Sequence, residues 1–344
     1  MELPIDLART LAAVVDAGSL DAAARDLAIT PSAVSQRVKL LERRLGRVLL
    51  VRSRPVRPTE AGAAIVRLAR QATLLEHDAL DALGIDPEPD GSAQGGPGEP
   101  GAGGASRTRR RIRIPLAVNA DSLATWILPP LARLASAHPI TFDLHRDDQD
   151  FTAGLLESGT VMAAVTSQAE PVAGCVVRPL GVLRYRAVAT PGYVARWLPD
   201  GATPEALGVA PVVDFDRRDD LQSEYLQRVG VDASHPPRHY VPASNDFATA
   251  IKLGLGWGLL PAFQSRAELE RGDLVALGGP PVDVPHHWQQ WNLRSPLLDA
   301  IADEVVAEAR RTLDGPVPDA GAPDAGAPDA GAPDAAAPDA SAHA

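Results

Sequence analysis

Residues 30–46 read TPSAVSQRVKLLERRLG, and this stretch decides the fold of the first part of the chain. Thr30 is placed to cap a helix, Pro31 has the fixed φ that suits a first helical turn, and Gly46 stands where a helix stops. Val34, Val38, Leu41 and Leu45 recur at spacings of four, three and four and build one apolar stripe. Ser32, Ser35, Gln36, Lys39 and Arg43 fall together on another face. Between Ser32 and Arg57 stand eight Lys/Arg and one acid, Glu42, in a chain whose formal net charge is -11. A solvated face is the ordinary reading of a lone basic run. A local charge opposed to that of the whole molecule points instead to a polyanionic partner.

The neighbours of this helix weigh for the second reading. Leu7, Leu11, Val14 and Val15 have helical spacing and end before Gly18, and Ser19 can cap a short second helix carrying Ala22, Ala23, Ala24 and Leu27. The basic helix is then the third of a compact set, reached through a short turn at Ala28–Thr30. Ser35 and Gln36 can read base edges beside cations suited to phosphate, which is helix-turn-helix geometry for double-stranded DNA. After Gly46, VLLVRSRPVRPT predicts a small hairpin or wing, with Arg52, Arg54 and Arg57 placed for DNA backbone or minor groove. Thr59 and Glu60 open a longer helix in which Ala61, Ile65, Leu68, Ala72, Leu75, Ala79 and Ala82 alternate spacings of four and three. Such a seam needs a partner, and a second copy of the same helix is the simplest one.

Residues 86–106 are dominated by Gly, Pro and small polar residues and predict a linker, and PDAGA repeats from Pro318 form a low-complexity tail with no assigned fold. Between them, RIRIPLAV, ITFDLHR, VMAAVT, YRAVAT, APVVDFD, RHYVPA, GWGLLP, GDLVAL and WQQWNL are strand candidates. They are separated by helical stretches at 123–137, 221–229 and 246–253, and a closing helix is expected at 296–313. This alternation predicts an α/β region with largely parallel sheets and a ligand site at the carboxyl ends of strands. A lone Cys175 makes no internal disulfide, no apolar run approaches the ~20 residues of a membrane helix, and the N-terminus lacks signal-peptide character, so a cytoplasmic location is expected.

The opening LARTLAAVVDAGSLDAAARDLAITPSAVSQRVKLLERRLGRVLLVRS, followed by RPTEAG, closely resembles the N-terminal domain of LysR-type transcriptional regulators. The resemblance covers about residues 3–85 and implies an all-α winged helix-turn-helix, dimerisation through the long helix, and a C-terminal α/β effector domain of two subdomains with a periplasmic-binding-protein-like fold. LAVNADSLATWILPPLA and APVVDFDRRDD are similar to the lysine- and arginine-sensing ArgP/LysG members, which implies a basic amino acid as effector and a basic-amino-acid exporter gene as target. The expected organisation is a DNA-binding domain at 1–58, a dimerisation helix at 59–85, a flexible joint at 86–110, an effector domain at 111–314 and a tail at 315–344. The glycine-rich joint and the tail depart from the family pattern.

For DNA, the candidate residues are Thr30, Ser32, Ser35, Gln36, Lys39, Arg43, Arg52, Arg54 and Arg57. For the effector, the amides around Asp121–Ala124 are placed to hold a carboxylate at a helix N-terminus, with Ser122 adding a hydroxyl. Asp121 is either the cap of its own helix or the partner of a ligand cation. Asp214 and Asp216 end a strand, and Asn245 and Asp246 stand between a strand and a helix. Each alone reads as a cap or turn residue, but together they predict a carboxylate-lined cleft that needs a cation. Thr166 and Ser167 are weaker candidates. Trp288 and Trp291 read as core, and His286 and His287 lack companions at metal-ligand spacing. GLGWG at 254–258 reads as a turn into a strand. No nucleophile with a base, metal set or cofactor lysine can be identified, so an amino-acid-processing enzyme is the weaker alternative, beside an architectural DNA-binding protein without an effector. A homodimer or tetramer is expected, with RNA polymerase as a further partner and no cofactor.

Overall fold

The computed structural model describes residues 3–51, 53–85, 111–146 and 152–315. Arg52, the joint at 86–110 and the tail beyond Gly315 lie outside the described residues. The chain opens with α1 (Ile5–Ala17), α2 (Leu20–Asp26) and α3 (Pro31–Leu45). Ser19 caps α2 by accepting from the Ala22 amide at 3.1 Å, Thr30 caps α3 by accepting from the Ala33 amide at 3.2 Å, and Gly46 ends α3 with φ 65°. Val34, Val38 and Leu41 are buried against Ala8, Leu11, Val14, Ala23 and Ala24, so the apolar stripe closes a three-helix core and leaves the basic face outside. A two-stranded wing follows, β1 (Leu50–Val51) antiparallel to β2 (Arg57–Pro58).

The long helix α4 (Glu60–Ala82) is capped by Thr59, whose Oγ1 accepts from the Gly62 amide and donates to the Val48 carbonyl at 2.8 Å. A Cβ at position 62 would come within 2.0 Å of the Leu49 carbonyl oxygen, so only glycine lets α4 start this close to the wing. Val66 and Ala69 pack on the three-helix core, Leu74 enters the core of the second region, and Leu68 and Leu75 stay 42% exposed.

The second region runs β3 (Ile112–Val118), α5 (Ala120–Thr125), α6 (Leu128–Ala137), β4 (Ile140–Arg146), α7 (Thr152–Glu157), β5 (Ala163–Thr166) and β6 (Cys175–Ala189). It continues through α8 (Pro191–Trp197), α9 (Pro204–Leu207), β7 (Val212–Asp214), α10 (Leu221–Arg228), β8 (Arg238–Tyr240), α11 (Ser244–Lys252) and β9 (Gly258–Pro261). It ends with α12 (Ala262–Arg271), β10 (Val275–Ala276), β11 (Val282–Trp291) and α13 (Pro296–Thr312). The main sheet has the order β10-β6-β11-β5-β3-β4, with β9 also paired to β6. Two subdomains share it. One has a core of β3, β5, α6, α13, Trp126, Trp288 and Trp291, and the other is built around Tyr225, Trp257, Leu259 and Val212.

The sheet is mixed, where the alternation of strands and helices predicts a largely parallel one. β3 pairs parallel with β4 and β5, but every pairing of β6 and β11 is antiparallel; β7 and β8 pair parallel in a separate two-stranded sheet. These two long strands carry the chain out to the second subdomain and back, so they must run in opposite directions. The register between them shifts at His286/His287, opposite Pro179 and Gly181. The helix expected at 123–137 is two helices, because Pro129 and Pro130 provide no amide to continue α5 into α6 and fit only a first turn. GLGWG is a turn into β9, and both tryptophans of β11 are fully buried.

Candidate DNA-reading face and effector cavity

On α3, Ser32, Gln36, Lys39, Arg43 and Arg44 are exposed, with Ser35 half-buried beside them, and Arg47 is exposed just after the helix. Gln36, Lys39, Arg43 and Arg47 border one open concavity together with Glu42, Gly46 and Val48. Arg54 and Arg57 of the wing are exposed as well. Glu42, the one acid of the stretch, is half-buried, and its Oε1 accepts from the Leu49 amide at 2.9 Å and fastens the wing to α3. A convex helix bearing amide, hydroxyl and cationic groups beside a basic wing suits a groove and its flanking phosphates.

The second site is a cavity of about 420 Å³ between the subdomains, lined from β3–α5 by Asn119, Ala120 and Asp121, from β6 by Tyr185, and from β11 by Asp283 to Pro285. The loop after β7, helix α10 and Gln264 of α12 complete it. Its lining contains six carboxylates, Asp121, Asp216, Asp219, Asp220, Glu224 and Asp283, against one guanidinium, Arg218. Some are matched locally. Asp283 pairs with Arg184 through two contacts of 2.7 Å, which hold its carboxyl below the usual range. Glu224 pairs with Arg228, and Asp216 faces Arg218 at 3.5 Å.

Asp219 is in a different state. Burial, and then the negative charges of Asp214 and Asp121, push its carboxyl up to about 6 against the pull of the Leu221 and Phe215 amides. Asp121 accepts a hydrogen bond from the Tyr185 hydroxyl at 2.6 Å, and burial together with that carboxylate raises the phenol well above its ordinary range. Two buried amides add acceptors, since the Oε1 atoms of Gln222 and Gln264 have no hydrogen-bond partner among the described residues. The orientation of Gln264 is fixed, because its Nε2 donates to the hydroxyl of Ser244 at 2.9 Å and to its carbonyl at 3.4 Å, and a carbonyl only accepts.

Of the effector residues expected from sequence, Asp121 and Asp216 line this cavity and the others do not. Asp214 is buried and paired with Arg238, which also donates to the Ala233 carbonyl, so this carboxylate ties β7 to β8. Ser122 is buried and accepts from Trp126 Nε1 at 3.0 Å, and Thr166 is buried and accepts from the Gln168 amide. Asn245 and Asp246 are exposed in the first turn of α11, which starts at Ser244. The amide site around Asp121–Ala124 is occupied by the chain itself, since the Ser122 amide donates to Asn119 Oδ1 at 2.8 Å and the Leu123 amide to the Asn119 carbonyl at 3.0 Å. Asn119, not Asp121, is the cap. An asparagine directly before the helix is a strong cap signal, and it leaves Asp121 free to face the cavity. Asp219, Asp220, Gln222 and Gln264 carry no local signal that separates them from surface polar residues.

Residues 5–63 match the model of the bacterial regulatory helix-turn-helix proteins of the lysR family, and residues 106–311 match the LysR substrate binding domain. The chain belongs to the LysR family of bacterial transcriptional regulators. It is a DNA-binding regulator and not an enzyme. It is 40% identical over 307 residues, 88% of this chain and 97% of the relative, to a lysine export transcriptional regulatory protein, LysG, of Corynebacterium efficiens. It resembles the crystal structure of ArgP from Mycobacterium tuberculosis, with TM-score 0.70, 40% identity and coverage of 88% of this chain and 96% of that one. It also resembles full-length LysG from Corynebacterium glutamicum with bound effector Arg, with TM-score 0.65, 37% identity and coverage of 90% and 99%. Among the described residues no helix is long and apolar enough to cross a membrane, and no group of three or more His, Cys, Asp or Glu is arranged to hold a metal ion.

Proposed function

We propose that the cavity between the subdomains binds a basic amino acid, arginine or lysine, and that this LysR-family regulator changes its action on DNA in response. The observation that carries the reading is the excess of acceptors. Six carboxylates line a cavity with a single guanidinium; Asp216, Glu224 and Asp283 have arginine partners, and burial pushes the carboxyl of Asp219 up to about 6. A half-buried cluster of this sign is relieved by a cation with several N–H donors. The arginine bound in the related LysG structure agrees with that chemistry. On this reading α3 and the wing contact double-stranded DNA, two copies of the chain pair through the exposed Leu68 and Leu75 of α4, and the regulator works with RNA polymerase in the cytoplasm. A basic-amino-acid exporter gene is the target that the lysine-export relative suggests.

Titration calorimetry over arginine, lysine, histidine and leucine tests the reading. Arginine and lysine are expected to bind, and leucine is not. Losing one partner of a desolvated charge pair commonly costs ~2–5 kcal/mol, so Asp219→Asn or Asp121→Asn should weaken arginine binding by orders of magnitude, and Asp246→Asn should not. Leucine binding as well as arginine, or both cavity variants binding normally, would refute a cationic effector.

A further inference from the structure

His286 is fully buried in β11 at the register shift where this strand passes from one subdomain to the other. Its Nδ1 lies 2.9 Å from the carbonyl oxygen of Val284, and its Nε2 lies 2.7 Å from Asn119 Nδ2. Asn119 Oδ1 in turn accepts from the Ser122 amide at 2.8 Å. The chemistry of the two ends fixes every proton between them. A carbonyl only accepts, so Nδ1 of His286 carries the hydrogen and Nε2 presents its lone pair. A backbone amide only donates, so the oxygen of Asn119 faces Ser122 and its NH₂ group faces the imidazole. The assignments made from opposite ends meet without conflict at the contact between Asn119 and His286. Burial keeps the ring neutral, against the pull of Val284 and Asp121 and with the help of His287.

We propose that His286 is a positioning residue for the effector cavity: its neutral Nδ1–H tautomer orients Asn119, the cap of α5, and so sets the turn that carries Asp121. Asn119 and Val284, the two partners of the ring, both line the cavity. Asp121, two residues beyond the cap, is fastened from the other side by the Tyr185 hydroxyl of β6. The carboxylate is therefore placed by both crossing strands, by β6 directly and by β11 through His286 and Asn119. A change in the relative position of the subdomains along these strands would move Asp121, and a cation held by Asp121 would resist that change. This role rests on the reading of the cavity as a site for basic amino acids.

The test uses the full chain, L-arginine as ligand and two variants. In His286→Gln the side-chain oxygen can stand where Nε2 stands and still accept from Asn119, whereas His286→Phe fills the space and offers no acceptor. The Phe variant is expected to bind arginine about tenfold or more weakly, the scale of a lost cap that leaves a buried amide unpaired. The Gln variant should stay within about threefold of wild type, less than half of that change in free energy. In ¹⁵N-histidine spectra of the wild-type protein, the signal that is missing from the Gln variant should report a neutral ring protonated at Nδ1. An Nε2–H ring or a charged one at neutral pH overturns the assignment, even if the Phe variant does not fold. Arginine binding within about twofold of wild type in the Phe variant, or a loss in the Gln variant equal to that in Phe, overturns the positioning role while the cavity reading stands. A wild-type protein that binds neither arginine nor lysine removes the cavity reading, and this role with it.

Discussion

Asp219 makes the chemistry of the cavity titratable. Its carboxyl has an ordinary value of 3.8 and is pushed up to about 6 in the folded protein, mainly by burial. The protonated form therefore adds stability to the ligand-free protein that is full below about pH 3.8 and is lost as the pH rises through about 6. A bound cation favours the ionised form and reverses that loss. The rise in Tm on adding arginine should thus be larger at about pH 7.5 than at about pH 5, and arginine affinity should fall by up to about tenfold per pH unit below about 6. In Asp219→Asn the pH dependence should flatten, and an unchanged pH profile in that variant would assign the titration to another group. The sequence shows that DFDRRDD follows a strand, yet it does not show which of its aspartates faces inward. Arg238, 24 residues away from Asp214, takes that carboxylate for the β7–β8 pair, and the Asp216 side chain accepts from the Arg218 amide at 2.7 Å to shape the turn that delivers Asp219. Non-local pairing of this kind has no signature in spacing.

At the scale of elements, the chemistry that is local was legible. Thr30, Pro31 and Gly46 mark α3, Thr59 marks α4, and the apolar stripe of α3 assigns its other face to solvent, because caps and periodicity depend on residues within one turn. The shared sheet was not legible, since the strands β6 and β11 cross between subdomains and no residue pattern separates a crossing strand from a parallel one. The exposed face of α3 leads to a prediction about DNA. Lys39→Ala should weaken binding across sequences and lower the slope of log K against log salt by about 1, whereas Gln36→Ala should change sequence preference and leave the slope alone. An unchanged slope for Lys39→Ala would remove it from the phosphate contacts. For α4, Leu68 and Leu75 face away from both cores, so Leu75→Glu should leave the fold of one chain intact and shift sedimentation toward monomer at low concentration. A variant that stays dimeric there would show that the helices meet on another face.

At the scale of the molecule, one side chain joins its three parts. Arg70 of α4 pairs with Asp16 at the end of α1 and donates to the carbonyls of Gly159 and Thr160 beside β5, the latter at 2.7 Å. Position 159 is also where a Cβ would meet the Arg67 side chain at 2.4 Å, so the loop before β5 and α4 touch closely enough that a shift of one is felt by the other. A planar guanidinium can serve a carboxylate with one nitrogen and backbone oxygens with another, which a lysine ammonium cannot do in the same geometry. The contact holds neither DNA nor effector, and its loss should therefore spare both sites. Arg70→Ala and Arg70→Lys are expected to bind arginine, and to bind DNA in its absence, about as the wild type does. The change in DNA affinity that arginine produces in the wild type, commonly a coupling of about 1–3 kcal/mol between two sites, should shrink in both variants. Fluorescence anisotropy of labelled operator DNA with and without saturating arginine measures the difference. If either variant keeps the full arginine effect, the signal passes from cavity to reading helix by another route, and Arg70 only fastens the domains together.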